Sequence, residues 1–278
     1  MSISAQDVKK LRDQTGAGMM DCKKALAEAN GDMEKAVEIL RKKGQKVSEK
    51  RADREANQGL IVSKVSEDGH KAAMLEINCE TDFVARNEDF HQQAEKFLDL
   101  LYEHEFEATE DLLATELDGL SVASHLESMV GKIGEKIEIS RTVFVKDAEK
   151  TITDYIHPGN QLGVLAVFAG DVENGDVARD VAMQIAAMNP IAVSRDDVNS
   201  SVIDKELEIA KEQLINEGKP AEIAEKAARG KLRRFYEERV LLEQKFVKEN
   251  SLTVKKYLEE NNTPLVTAFH RLQLGEGK

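Results

Sequence analysis

The sequence predicts an α+β fold with a helical arm, and three observations support this prediction. Two strand-like segments followed by an amphipathic helix occur twice in the middle of the chain. Between residues 203 and 235, apolar residues recur at helical spacings within otherwise charged sequence. The first 43 residues contain three short helical patterns separated by glycine-containing breaks. Strand-and-helix units that alternate with separate helical segments are typical of an α+β architecture.

Residues 4–43 are predicted to form a small three-helix module. The helices are expected to begin at residues that can act as N-caps: Ser4, Asp21 and Asp32. Met19 and Met20 fall in the predicted loop between the first two helices. Methionine is flexible and polarisable, so this pair could form an adaptable contact surface or could complete a very small core. The pattern alone leaves both alternatives open.

Residues 44–57 are polar and lack a clear apolar stripe, which predicts a linker that can be partly helical and that isolates the module. Residues 1–54 hold 13 basic and 9 acidic side chains, a net charge of +4, whereas the whole chain carries −13. The excess basic residues cluster at the end of this region: Arg41, Lys42, Lys43, Lys46, Lys50, Arg51 and Arg54. This cluster is interpreted either as a solvated helix end or as a patch that docks on an acidic partner.

The centre of the chain contains an internal repeat of strand, turn, strand and helix. The first unit comprises strands at 59–65 and 71–79 around a turn at 67–69, then a helix with apolar residues from 90 to 101. The second comprises strands at 151–156 and 162–169 around a turn at 157–160, then a helix over 177–188. A further strand is predicted at 136–145 and a closing strand at 265–274. Two stacked units, or one joined sheet, would bury the apolar strand faces.

Residues 196–240 are predicted to form an antiparallel coiled-coil arm. One helical seam contains Ile203, Leu207, Ala210 and Leu214, and the other contains Ala224, Ala228, Leu232 and Phe235. Gly218-Lys219-Pro220 separates the two seams. At about 20 residues per helix, the arm would extend roughly 30 Å. The alternative is that both helices lie flat on the core.

The strand-to-helix corner at Thr81-Asp82-Phe83-Val84 is the leading candidate for a functional site. Side chains at such a corner can project from a rigid frame. An acidic group beside a large ring could contact a charged site and separate apolar groups of another molecule. In the structural alternative, Thr81 or Asp82 caps the helix and Phe83 packs in the core.

Composition limits the function classes. The 278-residue chain is 41% hydrophobic and has no apolar run near the roughly 20 residues that a membrane span needs. Its acidic balance argues against direct nucleic-acid binding. Two cysteines in unlike contexts suggest free thiols in a cytoplasmic protein. The six histidines are scattered without a metal-ligand spacing.

The sequence also lacks the motifs of nucleotide binding and covalent catalysis. No GxxxxGK[ST] phosphate loop or GxSxG elbow is present, and neither cysteine has an evident histidine partner. We therefore expect no cofactor, no bound metal and no enzyme chemistry.

Two long segments resemble the elongation factor Ts family of translation. They are Leu11-Arg12-Asp13-Gln14-Thr15-Gly16-Ala17-Gly18-Met19-Met20-Asp21-Cys22-Lys23-Lys24-Ala25-Leu26 and Glu76-Ile77-Asn78-Cys79-Glu80-Thr81-Asp82-Phe83-Val84-Ala85-Arg86. Shorter segments, including Lys132-Ile133-Gly134-Glu135, are also similar to the family. The resemblance implies an N-terminal ubiquitin-associated-like module, a core of two subdomains and a guanine-nucleotide exchange factor that acts on elongation factor Tu.

The resemblance also assigns roles to residues. Arg12, Met19, Met20 and His157 would bind elongation factor Tu in its GDP and nucleotide-free forms. Thr81, Asp82, Phe83 and Val84 would dislocate the magnesium ion in that partner. Two departures from the family are Asn160-Gln161, where a basic residue is frequent, and the end of the chain at Lys278, where many members continue with a helix.

The predicted domains are 1–55 (module and linker), 56–145 (first core subdomain), 146–195 with 241–278 (second core subdomain) and 196–240 (arm). Self-association through the arm is a further prediction. The competing hypothesis is a non-catalytic adaptor or scaffold that uses the module and the arm. Loss of the Asp82-Phe83 pair would discriminate the two, because only an exchange factor would need it.

Overall fold

The computed structural model describes residues 3–276 and shows a mixture of helices and antiparallel strands. The α-helices are α1 Ala5–Thr15, α2 Met19–Glu28, α3 Met33–Arg51, α4 Asp82–Ala85, α5 Glu88–His104, α6 Thr109–Ala114, α7 Val122–Ile133, α8 Gly175–Met188, α9 Ser200–Asn216, α10 Ala221–Arg239 and α11 Val254–Glu260. The strands are β1 Gln58–Val65, β2 Lys71–Cys79, β3 Glu116–Leu117, β4 Leu120–Ser121, β5 Ile137–Lys146, β6 Thr151–Ile156, β7 Leu162–Phe168, β8 Lys245–Phe246, β9 Glu249–Thr253 and β10 Val266–Gln273. The α+β prediction is confirmed.

Helices α1–α3 form the predicted N-terminal module. Ser4 caps α1 through a reciprocal pair of hydrogen bonds with Asp7, and Asp32 caps α3 by accepting the Lys35 N–H. The prediction that Asp21 caps the second helix is wrong. The N-cap position is three residues earlier, at Gly18, so Asp21 lies inside the helix, and its carboxylate instead forms a 2.5 Å ion pair with Lys43 of α3.

The prediction of a linker that isolates this module is wrong, because α3 continues to Arg51 and packs against α7. The two helices cross at Gly44 and Gly131. A Cβ atom at Gly44 would lie 2.9 Å from the Glu127 carbonyl oxygen, so only glycine permits this approach. An apolar stripe is therefore not needed for the contact, which is why the sequence pattern missed it.

Several cations of the basic cluster have intramolecular partners, which neither interpretation of that cluster anticipated. Arg41 donates to the Ser124 hydroxyl at 2.9 Å, and Arg51 contacts Glu80 at 2.7 Å. Lys43 pairs with Asp21. These contacts hold α3 against the rest of the module and against the core.

The core contains two three-stranded antiparallel sheets, ordered β1-β2-β5 and β10-β7-β6. The predicted strand at 136–145 is β5, which pairs with β2, and the predicted closing strand is β10. The sheets face each other across an apolar layer of Ile61, Ala72, Met74, Ile152, Leu165, Val167 and Leu272. Of the two arrangements that the repeat allowed, the structure has two stacked units.

Helices cover the outer face of each sheet, as the alternation of apolar residues along the strands requires. Phe90, Phe97 and Leu101 of α5 pack with Leu60 and Leu75 of the first sheet. On the second sheet, helices α8 and α11 cover the corresponding face, where Val181, Ile185 and Leu258 pack with Val164 and Phe168. Residues 109–133, for which no element is predicted, form α6, β3, β4 and α7.

A buried polar network lies within the first sheet and reaches the second. Glu76, which is 1% exposed, accepts a hydrogen bond from the Arg141 guanidinium at 2.7 Å and from the Asn78 amide at 2.9 Å. Ser140 donates to Asn78 at 2.6 Å, and Arg141 also donates to the Gln273 carbonyl oxygen of β10 at 2.7 Å. Arg141 thus neutralises a buried carboxylate and joins the two subdomains.

Helices α9 and α10 form the predicted antiparallel arm. Ala210 and Leu214 pack against Ala224 and Ala228, and the small alanines allow the helices to approach closely. At the base of the arm, Ile203 and Phe235 pack with Ala192, Val198 and Val240. The helices contact each other and meet the core chiefly where α10 ends, so the alternative in which they lie flat on the core is wrong.

Candidate functional site: the Thr81–Val84 corner

The candidate corner joins the end of β2 to the short helix α4. The Phe83 side chain is 83% exposed, and the Asp82 carboxylate forms a 3.0 Å ion pair with Arg86 one helical turn later. Val84 is half-buried against the first core cluster, and Ala85 is buried in it. The corner is therefore anchored by its second half and presents an acid and an aromatic ring to solvent.

The structural alternative for this corner is wrong for Phe83, because the ring is not in the core. Thr81 does occupy the N-cap position, but its hydroxyl makes no capping hydrogen bond. Instead it donates to Glu135 at 2.7 Å, and the Thr81 N–H donates to the same carboxylate at 3.0 Å. Asp82 is the first helical residue and so does not act as the cap.

Cys79 lies beneath the corner and contributes to its rigidity. Its buried thiol donates to the Thr81 carbonyl oxygen at a sulfur–oxygen distance of 3.2 Å. Burial, together with the nearby Glu135 carboxylate, raises the pKa of Cys79 to about 12. The thiol is therefore neutral and serves as a donor within the fold; it does not serve as a nucleophile. Cys22 is also free and buried.

Met19 and Met20 are exposed by 54% and 63%, so they do not complete the small core of the module. They do not lie in a loop, as the sequence predicted, but form the first two residues of α2. The core of the module instead contains Leu11, Cys22 and Leu26. Arg12 is exposed near the end of α1. The module thus presents two apolar side chains and a cation to solvent.

His157 is exposed in the turn after β6, and its Nδ1 atom lies 3.0 Å from the Tyr155 hydroxyl. The turn is held on β1 by Asn160. The backbone carbonyl oxygen of Asn160 accepts the Ile61 N–H at 2.7 Å, and the side-chain amide of Asn160 donates to the Ile61 carbonyl oxygen at 3.3 Å. Asn160, the departure from the family pattern, therefore positions this turn against the first sheet.

The structure does not bring all the predicted site residues into one cluster. The methionine pair is in the N-terminal module, Phe83 is at the end of the first sheet, and His157 is in the second. Within residues 3–276, no hydrogen bond or ion pair links these three groups directly. An arrangement of this kind suits a surface that contacts a large partner at several points.

Comparison with known proteins identifies the family. The family model described as Elongation factor TS matches residues 80–276. Elongation factor Ts of Amoebophilus asiaticus is 46% identical over 99% of this chain and 100% of that protein. Those of Prosthecochloris aestuarii (45%, covering 98% and 99%) and Aquifex aeolicus (46%, covering 99% of each) are similar.

The chain belongs to the elongation factor Ts family. The resemblance stated from the two long segments is thus confirmed, and the protein is a translation elongation factor that takes part in protein biosynthesis. The match of the family model begins at Glu80, so it includes the whole corner. The module lies outside this match but within the aligned relatives.

Two carboxylates at the corner of this elongation factor Ts family member, Glu80 and Glu135, were not among the site residues that the sequence predicted. Glu80 accepts hydrogen bonds from the Lys136 N–H at 2.6 Å and from Arg51 at 2.7 Å. Burial raises the pKa of Glu80, but these two donors and the charges of Arg51 and Arg54 together hold the pKa below its ordinary value. Both glutamates lie inside segments noted as similar to the family, but nothing in the sequence pattern indicated that Glu80 accepts from Lys136 or that Glu135 accepts from Thr81.

Two findings on the described residues bear on other site classes. No helix within 3–276 is both long enough and apolar enough to cross a membrane. In the same part of the chain, His, Cys, Asp and Glu side chains do not assemble in a group of three that could hold a metal ion.

Proposed function

We propose that this protein is a guanine-nucleotide exchange factor that binds elongation factor Tu with GDP and promotes GDP release. The observation that carries the proposal is Phe83, an 83% exposed ring beside Asp82 on a corner whose backbone is firmly held. A large ring that is held in solvent on a fixed backbone is available to be buried against another molecule, and such burial is favourable. Membership of the elongation factor Ts family supports the choice of partner.

Thermodynamic linkage defines what such a factor must do. A GTPase holds its diphosphate through backbone amides of its phosphate loop and through a magnesium ion. If the factor binds the nucleotide-free GTPase more tightly than the GDP form, GDP affinity must fall by the same ratio. The factor therefore needs no nucleotide site and makes or breaks no covalent bond.

The corner would act by intrusion into the GTPase beside its magnesium site. Phe83 would enter between apolar side chains of the partner, and Asp82 would place a negative charge near the ion. The displaced helices would then weaken magnesium coordination and the phosphate loop. Burial of one Phe side chain contributes roughly 1.5–3 kcal/mol, which corresponds to about one to two decades in nucleotide affinity.

Further contacts would supply the remaining binding energy. Arg12, Met19 and Met20 of the module would bind the GTPase domain of the partner, and His157 would face a different domain. Their separation over three structural units supports such an extended footprint. Self-association through the arm stays a prediction, because the single chain does not test it.

Release of a fluorescent GDP analogue from elongation factor Tu tests the proposal. Catalytic amounts of the protein should accelerate release, and calorimetry should detect no binding of free GDP to the protein alone. An adaptor, the alternative function, would bind elongation factor Tu without any change in the release rate. The exchange function would be refuted if even stoichiometric amounts of the protein failed to accelerate GDP release, or if this chain alone bound GDP tightly.

Replacing Met19 and Met20 together with serine should raise the KM for elongation factor Tu–GDP with little effect on kcat. Both side chains are largely exposed, so their loss should leave thermal stability nearly unchanged. In the unmodified protein, hydrogen exchange of residues 15–23 should slow on complex formation. Unchanged exchange in this segment would show that the module does not contact the partner there.

A further inference from the structure

The ladder between β2 and β5 ends at the Cys79–Ile137 pair, immediately before the corner. In the same antiparallel register, residue 80 lies opposite residue 136, and residue 81 lies opposite residue 135. Side-chain carboxylates make the next two connections in place of backbone carbonyls. Glu80 accepts the Lys136 N–H at 2.6 Å, and Glu135 accepts the Thr81 N–H at 3.0 Å.

This reciprocal pair of carboxylates holds the strand ends while it leaves the Thr81 carbonyl oxygen available to α4. That oxygen accepts the Ala85 N–H at 3.2 Å and the Cys79 thiol. The Thr81 hydroxyl donates to the second oxygen of Glu135 at 2.7 Å. Every hydrogen-bonding group of Thr81 is therefore engaged, and the donors to Glu135 are charge-assisted and strong.

Phe83 depends on this attachment for its direction. With 83% of its side chain in solvent, the ring gains little orientation from packing. Its position is set by the backbone to which it is attached. That backbone is held after the ring by the packing of Val84 and Ala85 and before the ring at Thr81, so the hydrogen bonds of Thr81 fix the side of the corner that packing does not. Gly134 ends α7 in a left-handed conformation and so turns the chain to bring Glu135 to Thr81.

Glu80, the other carboxylate of this pair, also contacts the N-terminal module. Its carboxylate accepts from Arg51 at 2.7 Å and lies 3.8 Å from Arg54, at and just beyond the end of α3. Because α3 also belongs to the module, this ion pair connects the methionine-bearing unit with the corner.

We propose that Glu135 is a positioning residue that grips Thr81 and thereby fixes the direction in which Phe83 leaves the surface. Its effect on the rate of nucleotide release rests on the proposed exchange function. Its effect on the ring is a property of the free protein, so the two parts can be measured separately.

The first test uses the absence of tryptophan from the chain. Phe83→Trp introduces a single fluorescent reporter at the corner, and its anisotropy decay is measured in the free protein. In the Phe83→Trp protein, the further substitution Glu135→Ala should raise the fast, nanosecond share of the anisotropy decay by about twofold, because the ring then moves with a backbone that is no longer held at Thr81. Glu67→Ala, an exposed carboxylate in the turn at the opposite end of β2, is the matched control and should change nothing.

The second test measures exchange kinetics in the chain that retains Phe83. Glu135→Ala removes two hydrogen bonds to a carboxylate, so kcat should fall about tenfold while KM changes by less than about twofold. Glu135→Gln should restore most of kcat, because its amide oxygen can accept the Thr81 N–H while its NH2 group donates to the hydroxyl. Thr81→Val, which removes only the hydroxyl, gives a milder second variant if Glu135→Ala folds poorly.

An unchanged anisotropy decay in both the Glu135→Ala and Thr81→Val variants would overturn the proposal. A ring that becomes mobile while kcat stays unaltered would support the hold of Glu135 on the ring and would overturn its effect on exchange. A purely structural role would lower the melting temperature without a selective loss of kcat. If the unmodified protein shows no exchange activity, the proposed function fails, and the anisotropy measurement still decides whether Glu135 holds the ring.

Discussion

Replacing Phe83 with alanine is expected to slow GDP release from elongation factor Tu by about one to two decades. The reason is that the lost side chain would be buried only in the complex, at the transition to the nucleotide-free state. Because the ring is 83% exposed in the free protein, the free energy of unfolding should change by less than about 0.5 kcal/mol. Stopped-flow release of a fluorescent GDP analogue and thermal melting measure the two quantities.

Phe90 provides the matched control for this variant. It lies seven residues later on α5 and is 1% exposed within the first core cluster. Phe90→Ala should destabilise the protein by about 3–5 kcal/mol through cavity formation. A Phe83→Ala protein that melts like Phe90→Ala yet exchanges normally while folded would contradict the function proposed for the corner.

Replacing Arg141 with methionine should lower the free energy of unfolding by about 3 kcal/mol. The variant leaves the Glu76 carboxylate, which is 1% exposed, without its cation, and it removes the hydrogen bond to Gln273 of β10. The melting temperature should fall by roughly 5–10 °C. Because this network connects the two sheets, the relative position of Phe83 and His157 should also become less fixed.

A second substitution separates the charge effect from the loss of packing. Glu76→Gln in the Arg141→Met background removes the uncompensated charge and retains an acceptor for the Asn78 amide, so much of the stability should return. If the double variant is no more stable than Arg141→Met, the buried carboxylate is not the source of the loss. Urea denaturation of the unmodified protein, the Arg141→Met and Glu76→Gln single variants and the double variant gives the coupling free energy of the pair.

Because α3 packs against α7, the N-terminal module is attached to the core and is not an isolated unit. Close packing at Gly44 and Gly131, with the Arg51–Glu80 ion pair, connects it to the core. Removal of residues 1–54 would therefore expose part of α7 and would remove a contact from the corner. Substitution of Met19 and Met20 is the cleaner way to test the contribution of the module to binding.

The sequence by itself predicted most of the secondary structure, the repeat and the arm, because these depend on local periodicity. Ile203 to Leu214 and Ala224 to Phe235 recur at helical spacings, and the structure places them in one seam and at its base. The same holds for β6, whose predicted and observed bounds agree at Thr151–Ile156. The two long segments were also sufficient to indicate the family, because they contain many residues in a fixed order.

Only the tertiary structure decided which side chains are exposed at the candidate site and what holds them. A Phe at a strand-to-helix corner fits both a core and a surface position, since four residues of α4 are too few to show a periodicity. The crossing at Gly44 and Gly131 left no apolar signal, because it depends on the absence of side chains. Glu80 and Glu135 are 55 residues apart, and they meet Lys136 and Thr81 only because β5 pairs with β2. Contacts between distant segments follow from the pairing of strands and the packing of helices, which local sequence patterns do not encode.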